Sequence, residues 1–575
     1  MYALDVLKAL WILLIFAVTF FWFPAYLFFG RQSADATLKV AGNFARGVLL
    51  VTGTSFLFAA LKVLNVTTVL LLFGSAILLA WVRKNAGGSR DWLAAFQATT
   101  VGMIRMLESP PILRRIGSYF PVSAAWKNHL HAKLRGRQPI VASFAIVMML
   151  ASTQHFWPSL RQLRLELPED YSVLLRGREL MLNTHPAGQP LIFPSVIGLT
   201  ALLSSTDPMQ VTRFLTPIVG LFLVLAVGLV IHVCAGGRVA SLAAMYCLGA
   251  AAFPPAGSSS TIPTSTWQKL ASVLWIGPAN TRASPEKEIG LLLLLLALAI
   301  LADWYKKERG WDSLVDVACC VVLVGLISGY LLLILVLASA VLLLRPVMGL
   351  WTVVVICYAL AGLSSLFPNV SFPNEVRLVL PLAAPMTAGC LLALVENSLT
   401  SRSARTNEGM LLFACFLIGL FWFRPQPVKT EYLEFDEAAR MTQQIAHQHA
   451  RQSWVVVAPV EQLSETLGLG GHVDLAEFVE NYHGQTARPD FRFPEARENL
   501  FIYVEKRPFQ IFRSEPKSVP MSVLADTTYR SYRSPAGRAS VEAAALELCE
   551  QYRQCHSDMD VYFEDDNLRI YRVHR

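Results

Sequence analysis

The amino-acid sequence predicts a polytopic α-helical membrane protein of about twelve transmembrane helices, followed by an extracytoplasmic α/β domain. Three observations predict this class. Of 575 residues, 54% are hydrophobic and only 16% charged, against about 25% charged in soluble proteins. Apolar runs long enough to cross a bilayer, about 20 residues each, recur from the N-terminus to Phe423. Beyond Arg424 the chain changes to short apolar runs and amphipathic stretches of ordinary polarity. The net charge of +8 fits cytoplasmic loops rich in Lys and Arg, which orient membrane spans, and excludes nucleic acid as the partner to expect.

The elements divide the chain into residues 1–137, 138–423 and 424–575. The first thirty residues hold an apolar run too long for a cleaved leader, so they read as a retained span. Runs at 43–63 and 66–83 follow as a hairpin. From Arg83 to Arg137 ten basic residues oppose Asp91 and Glu108, with aromatic residues interspersed. That mixture reads as a cytoplasmic, interfacial segment drawn to anionic membrane lipids, or as a plain basic linker.

With this segment inside, alternation sets the rest. The span at 139–156 leaves the cytoplasm, and Glu166–Pro194 forms an external loop. LIFPSVIGLTALLSS (191–205) is short for a span and reads as a surface helix. Spans at 211–234 and 239–255, the LLLLLLALAILADW run, a pair over 315–344 broken near Gly329, and spans at 349–366, 376–395 and 409–423 complete the set. Their basic loops fall on one side, as the positive-inside rule requires.

In the last part, residues 454–460, 500–507, 560–565 and 568–573 read as strands. EFDEAARMTQQIAHQHA and SVEAAALELCEQY read as amphipathic helices. GLGG (468–471) lacks the Lys-Ser/Thr of a phosphate loop and reads as a turn. Of nine cysteines, Cys549 and Cys555 alone lie in this polar part. An external domain permits disulfides, and a chain turning back after Tyr552 would bring these two within bonding range.

Glu166, Glu169 and Asp170 crowd the first external loop, with Tyr171 directly behind and His185-Pro186 later. A carboxylate there suits a general base that deprotonates an attacking hydroxyl. Asp170 and Glu169 also suit a divalent metal ion, which prefers oxygen ligands. The alternative is a solvated loop whose acids pair with Arg161, Arg164, Arg176 or Arg178.

The acidic pair with its tyrosine, the helix-forming SVLLRGRELM, His-Pro with Pro190, the apolar helix, Arg213 opening a long span, and Pro254-Pro255 together resemble the GT-C superfamily of integral membrane glycosyltransferases. Protein O-mannosyltransferases and lipid A aminoarabinose transferases are branches of it. The resemblance covers roughly 137–423. It implies a catalytic acid in the first external loop, a polyprenyl-phosphate sugar donor, and a lipid, glycan or protein acceptor. Here the acids stand as Glu169-Asp170, the reverse of the commoner order, and His-Pro lacks an adjacent second proline.

FPNEVRLVLPLAAP (372–385) matches a family pattern in which an Arg ahead of Leu-Pro faces the donor phosphate. Arg377 takes that place with Glu375 beside it, and a guanidinium fork suits phosphate; alternatively Arg377 snorkels to headgroups. Lys269 and Arg282 are further phosphate candidates. The implied protein is a multi-pass enzyme of the cell envelope, in a bacterial inner or plasma membrane. A transporter or lipid flippase, and a non-catalytic envelope scaffold, are the rival readings.

Overall fold

The computed structural model describes residues 2–27, 36–85, 138–166, 168–184, 192–249, 285–307, 311–366, 374–400, 432–494, 497–507 and 535–574. The last expected span (409–423), most of the basic segment, His185, Lys269 and Arg282 lie outside the described residues, as do the side chains of Glu375 and Arg377.

The N-terminal part is α1 (Tyr2–Ala17), which passes through a π-helical turn (Val18–Trp22) into α2 (Phe23–Leu27), then α3 (Ala36–Ala60) and α4 (Val66–Asn85). The central part holds α5 (Gln138–Arg161), α6 (Pro168–Met181), α7 (Ile192–Ser204), α8 (Pro208–Ala235), α9 (Arg238–Gly249) and α10 (Pro285–Lys307). It continues with α11 (Trp311–Ile327), α12 (Gly329–Leu342), α13 (Pro346–Leu366) and α14 (Asn374–Thr400). Among the described residues, four helical segments are long and apolar enough to cross a membrane: Leu4–Ala25, Thr37–Ala60, Pro208–Ala235 and Pro285–Lys306. They mark a membrane protein, while five other apolar helices are shorter.

The break expected near Gly329 falls at Ser328, whose extended backbone stops α11 and whose side chain accepts from the Leu331 N–H to start α12. Residues 191–205, expected along the membrane surface, hold a helix packed among other protein elements. Helix α7 is buried along most of its length, from Ile192 through Ala201, as suits a helix that is apolar nearly all round. Nor do the N-terminal helices stand apart. Ile12, Phe16, Phe44 and Val48 share one apolar core with Ile197, Phe214, Leu294 and Leu335.

Polar contacts sort the helices between two ends. At one end Trp11 Nε1 donates to the Ser204 carbonyl (3.1 Å), and Asn183 bonds the backbone of Leu64 (3.2 and 3.3 Å). At the other, Lys306 donates to the Cys234 carbonyl (3.3 Å) and Asn397 to the Ala235 carbonyl (3.0 Å). The first end also carries residues 159–184; it is called the carboxylate end below, and the other the far end.

The C-terminal part is α15 (Asp436–Gln448), β1 (Trp454–Ala458), α16 (Glu461–Thr466), β2 (Gly471–Asp474), α17 (Leu475–Tyr482), β3 (Asn499–Glu505), α18 (Pro535–Cys555), β4 (Met559–Glu564) and β5 (Leu568–His574). The sheet order is β2-β1-β3-β5-β4, parallel across β2, β1 and β3 and antiparallel from β3 outward. The continuous apolar run WVVVA forms β1 because both of its faces are covered. Val455 and Val457 pack with Phe478, Leu548 and Tyr552 on one face. Trp454 and Val456 pack with Met441 and Ile445 on the other.

The expected Cys549–Cys555 disulfide is overturned. Helix α18 runs unbroken through both residues, and both are free thiols, Cys549 buried and Cys555 exposed. Six helical residues rise about 9 Å, beyond the ~4.4–6.8 Å Cα separation that a disulfide bridges.

Candidate functional site

The external loop of the sequence reading is mostly helix. Pro168 suits the first turn because its missing N–H is not needed there. Glu169 and Asp170 share that turn, where negative charge complements the helix dipole, as Arg178 does in the last turn. The helix α6 is wedged between two bodies. Toward the bundle, Gly177 faces Ile197 of α7. Toward the C-terminal domain, Tyr171 and Leu174 join Leu433 and Ala439 in a small apolar cluster with Leu163, Leu165 and Met209.

The candidate carboxylates separate by environment. Glu166 is buried and accepts from Ser159 Oγ at 2.6 Å. The Ser159 carbonyl in turn accepts from Arg213 Nε at 2.5 Å, and Arg213 also reaches Gln210 (3.1 Å) and Asp5 (3.4 Å). Glu166 therefore belongs to a network that fixes where α5 ends and α8 begins. Asp170 is only 3% exposed, whereas Glu169 is half-buried. Glu166, Glu169 and Asp170 thus lie at one end of the bundle, on one turn of chain between two long helices. Among the described residues no three His, Cys, Asp or Glu side chains form a metal-binding group.

Tyr171 does not accompany the carboxylates. It is fully buried, and its hydroxyl donates to Glu434 of the C-terminal part while accepting from the Leu165 N–H at 3.3 Å. Two of the loop arginines make contacts beyond the loop. Arg178 Nη2 holds both oxygens of Asp207 (3.0 and 3.1 Å), and its Nη1 donates to the Leu467 carbonyl (3.1 Å). Asp207 is also the N-cap of α8, accepting from Met209 N at 2.8 Å. Arg164 donates to the Glu434 carbonyl and stacks over Tyr432 at 3.7 Å.

Helix α14 starts near Arg377 and ends at the far end, where Glu396 and Asn397 touch the start of α9 and the end of α8. Its 27 residues span about 40 Å, so the backbone of Arg377 lies toward the carboxylate end.

A group that the sequence reading does not identify lies where the domain meets α6. Every polar residue of the short helix α16, EQLSET, is buried: Glu461, Gln462, Ser464, Glu465 and Thr466. Gln462 donates to Glu434. Neither Glu465 oxygen accepts from an N–H or hydroxyl donor among the described residues. Glu434 and Glu465 are both buried and close enough for the carboxyl of each to act on the other. Burial, then the charge of Glu465, pushes Glu434 well above the usual carboxylate range. Burial likewise pushes Glu465 up to about 7, with Glu434 and Arg178 acting against it.

Glu461 is also pushed up to about 7 by burial, against the pull of Arg538 at 3.7 Å. Arg538 is itself buried and held by Glu505 (2.9 and 2.7 Å). GLGG, beside this helix, is a turn with Gly468 at φ +78° pressed on Leu182 of the α6 terminus. No composition signal could reveal α16, because a polar hexapeptide reads as surface.

No protein-family model matches the chain, and neither a curated protein nor a solved structure matches it.

Proposed function

We propose that the chain is a membrane glycosyltransferase that moves a sugar from a polyprenyl-phosphate donor to a hydroxyl acceptor at the carboxylate end. The observation that carries the reading is Asp170, nearly buried in the first turn of a helix laid across that end, between two long helices and beneath the C-terminal domain. Asp170 takes the acceptor's proton as its oxygen attacks the anomeric carbon. The bond from that carbon to the phosphate oxygen breaks, and the lipid phosphate leaves with the electron pair. Burial of the carboxylate keeps competing water away. Glu169 is its partner, Glu166 positions the turn, and Arg377 binds the departing phosphate, with Lys269 and Arg282 as further phosphate contacts.

The test is transfer by purified protein from radiolabelled polyprenyl-phosphate sugars to a membrane-lipid extract. Asp170→Asn is expected to lower turnover by ~10²–10⁴-fold, the usual loss of a general base. Transfer within a few-fold of wild type for both Asp170→Asn and Glu169→Gln would sink the assignment.

One observation favours the transporter reading. Arg46 and Asp316 form a 2.6 Å ion pair inside the helix bundle, where ionisable residues commonly serve a translocation path. Arg46 also donates to the Asp312 carbonyl at 3.2 Å, which puts the pair near the start of α11 rather than at mid-membrane. Substrate-dependent charge movement in proteoliposomes, lost in Asp316→Asn, would favour transport over transfer.

A further inference from the structure

We propose that the C-terminal domain is latched to the helix bundle through protons, which Glu434 and Glu465 take up as helix α16 seats on Tyr171 and Arg178. The latch is separate from the transferase reading and is measured without activity. Its geometry is unusual for an interface. The domain buries two carboxyls at this contact. Glu434 accepts from Gln462 and from the Tyr171 hydroxyl of the bundle. Neither oxygen of Glu465 has a hydrogen-bond partner among the described residues, and the bundle's Arg178 guanidinium reaches the Leu467 carbonyl beside them. That guanidinium is already engaged by Asp207 and the Leu467 carbonyl.

The other charged groups around the pair do not replace the proton. From α16 itself, Glu461 adds a third buried carboxyl. Behind it, Arg538 of α18 is engaged by Glu505 of β3, and Glu542 of α18 accepts from the Glu505 N–H at 2.8 Å. Asp474 of β2 caps α17 through Ala476 N at 2.9 Å. Tyr503 of β3 bonds Thr442 of α15 at 3.0 Å. Asp436 of α15 accepts from the Leu163 and Arg164 N–H groups. Arg164 meets the Glu434 backbone carbonyl rather than its carboxylate.

When the surfaces part, water reaches Glu434 and Glu465, and each ionises in the ordinary carboxylate range. When they meet, burial disfavours the charged form of both. Docking therefore binds protons. A carboxyl with a raised value in the docked state stabilises docking fully below the ordinary carboxylate range. That contribution is lost as pH rises through the docked value, about 7 for Glu465, at about tenfold per pH unit for each proton.

The experiment is amide hydrogen exchange on the full chain in detergent, with each rate divided by the unstructured rate at the same pH. Protection of α16 and α6 should fall by up to about a hundredfold per pH unit between pH 5 and 7, about tenfold for each of the two protons, while β3 and β5 stay protected. Glu465→Gln keeps the hydrogen-bonding shape and removes one of the two titrations, so its slope should fall to about tenfold per pH unit. Should its strands lose protection, Glu434→Gln gives the same reading from the other side of the pair. Equal wild-type protection at pH 5 and 7 overturns the latch, as does an unchanged slope in whichever variant folds.

Discussion

At the far end of the bundle, Glu396 accepts from the N–H groups of Arg238, Val239 and Ala240 at 2.9, 3.1 and 3.2 Å. Lys306 meets the last carbonyls of α8, those of Val233 and Cys234. Each charge there meets the helix terminus of opposite partial charge, as the helix dipole favours. At the carboxylate end, Glu434 and Glu465 act on each other, Asp170 lies buried, and three polar residues of every four-residue turn of α16 are withdrawn from water. One end solves the problem of unpaired helix termini. The other accepts a cost that burial of acids imposes, and such concentrations of perturbed groups mark functional regions.

The largest separation between the ends is expected in turnover. Asp170→Asn should lose ~10²–10⁴-fold, whereas Glu396→Ala should stay within a few-fold of wild type, both measured in the polyprenyl-phosphate transfer assay. Equal losses would mean that neither end holds the chemistry.

Next comes Arg538→Met. It leaves Glu461, Glu505 and Glu542 facing one another without their cation, and breaking a buried ion pair costs ~3–5 kcal/mol. Burial holds Glu461 at about 7 and raises Glu542 well above its ordinary range, so protonation relieves part of the repulsion at low pH. Exchange of β3 and β5 should therefore show a larger loss at pH 8 than at pH 5. A loss independent of pH would show that Arg538 acts through packing alone. By contrast, Glu396→Ala removes only cap bonds and should cost ~0.5–2 kcal/mol, read as faster exchange in the first turn of α9.

The contrast also explains what the sequence could reveal. Long apolar runs disclosed the helices, and apolar strand patterns disclosed β1, β3, β4 and β5. GHVD, which forms β2, carries no such alternation and owes its place to the parallel register with Val455–Ala458. Glu166, Glu169 and Asp170 are neighbours in sequence, so their gathering at one end was legible. Tyr171 bonds a residue 263 positions away, and nothing local announces that. The same limit hid α16, whose burial depends on Tyr171 and Arg178 of α6 and Arg538 of α18 arriving from two distant segments. The Cys549–Cys555 expectation failed for the opposite reason. It assumed a local turn where the helix pattern of ELCEQYRQC continues, and tertiary burial of Cys549 and Tyr552 keeps that helix straight.

The smallest effect distinguishes the ends at a single backbone feature. Gly236, at the far end, and Gly468, at the carboxylate end, both adopt left-handed backbone, with φ +83° and +78°. A Cβ at Gly236 would meet nothing within 4 Å, whereas one at Gly468 would stand 2.9 Å from Leu182 Cδ1. Gly236→Ala should then cost only the left-handed penalty, ~1–2 kcal/mol, confined to the end of α8. Gly468→Ala incurs the same penalty and must also push Leu182 aside. Leu182 is 45% exposed, so the side chain can swing away and the extra cost should be small. It should nonetheless appear in a specific place: protection of α6 falls in Gly468→Ala and stays unchanged in Gly236→Ala. If α6 is unaffected by Gly468→Ala, the GLGG turn contributes nothing to seating the domain, and the docking surface shrinks to the Tyr171–Glu434 and Arg178 contacts.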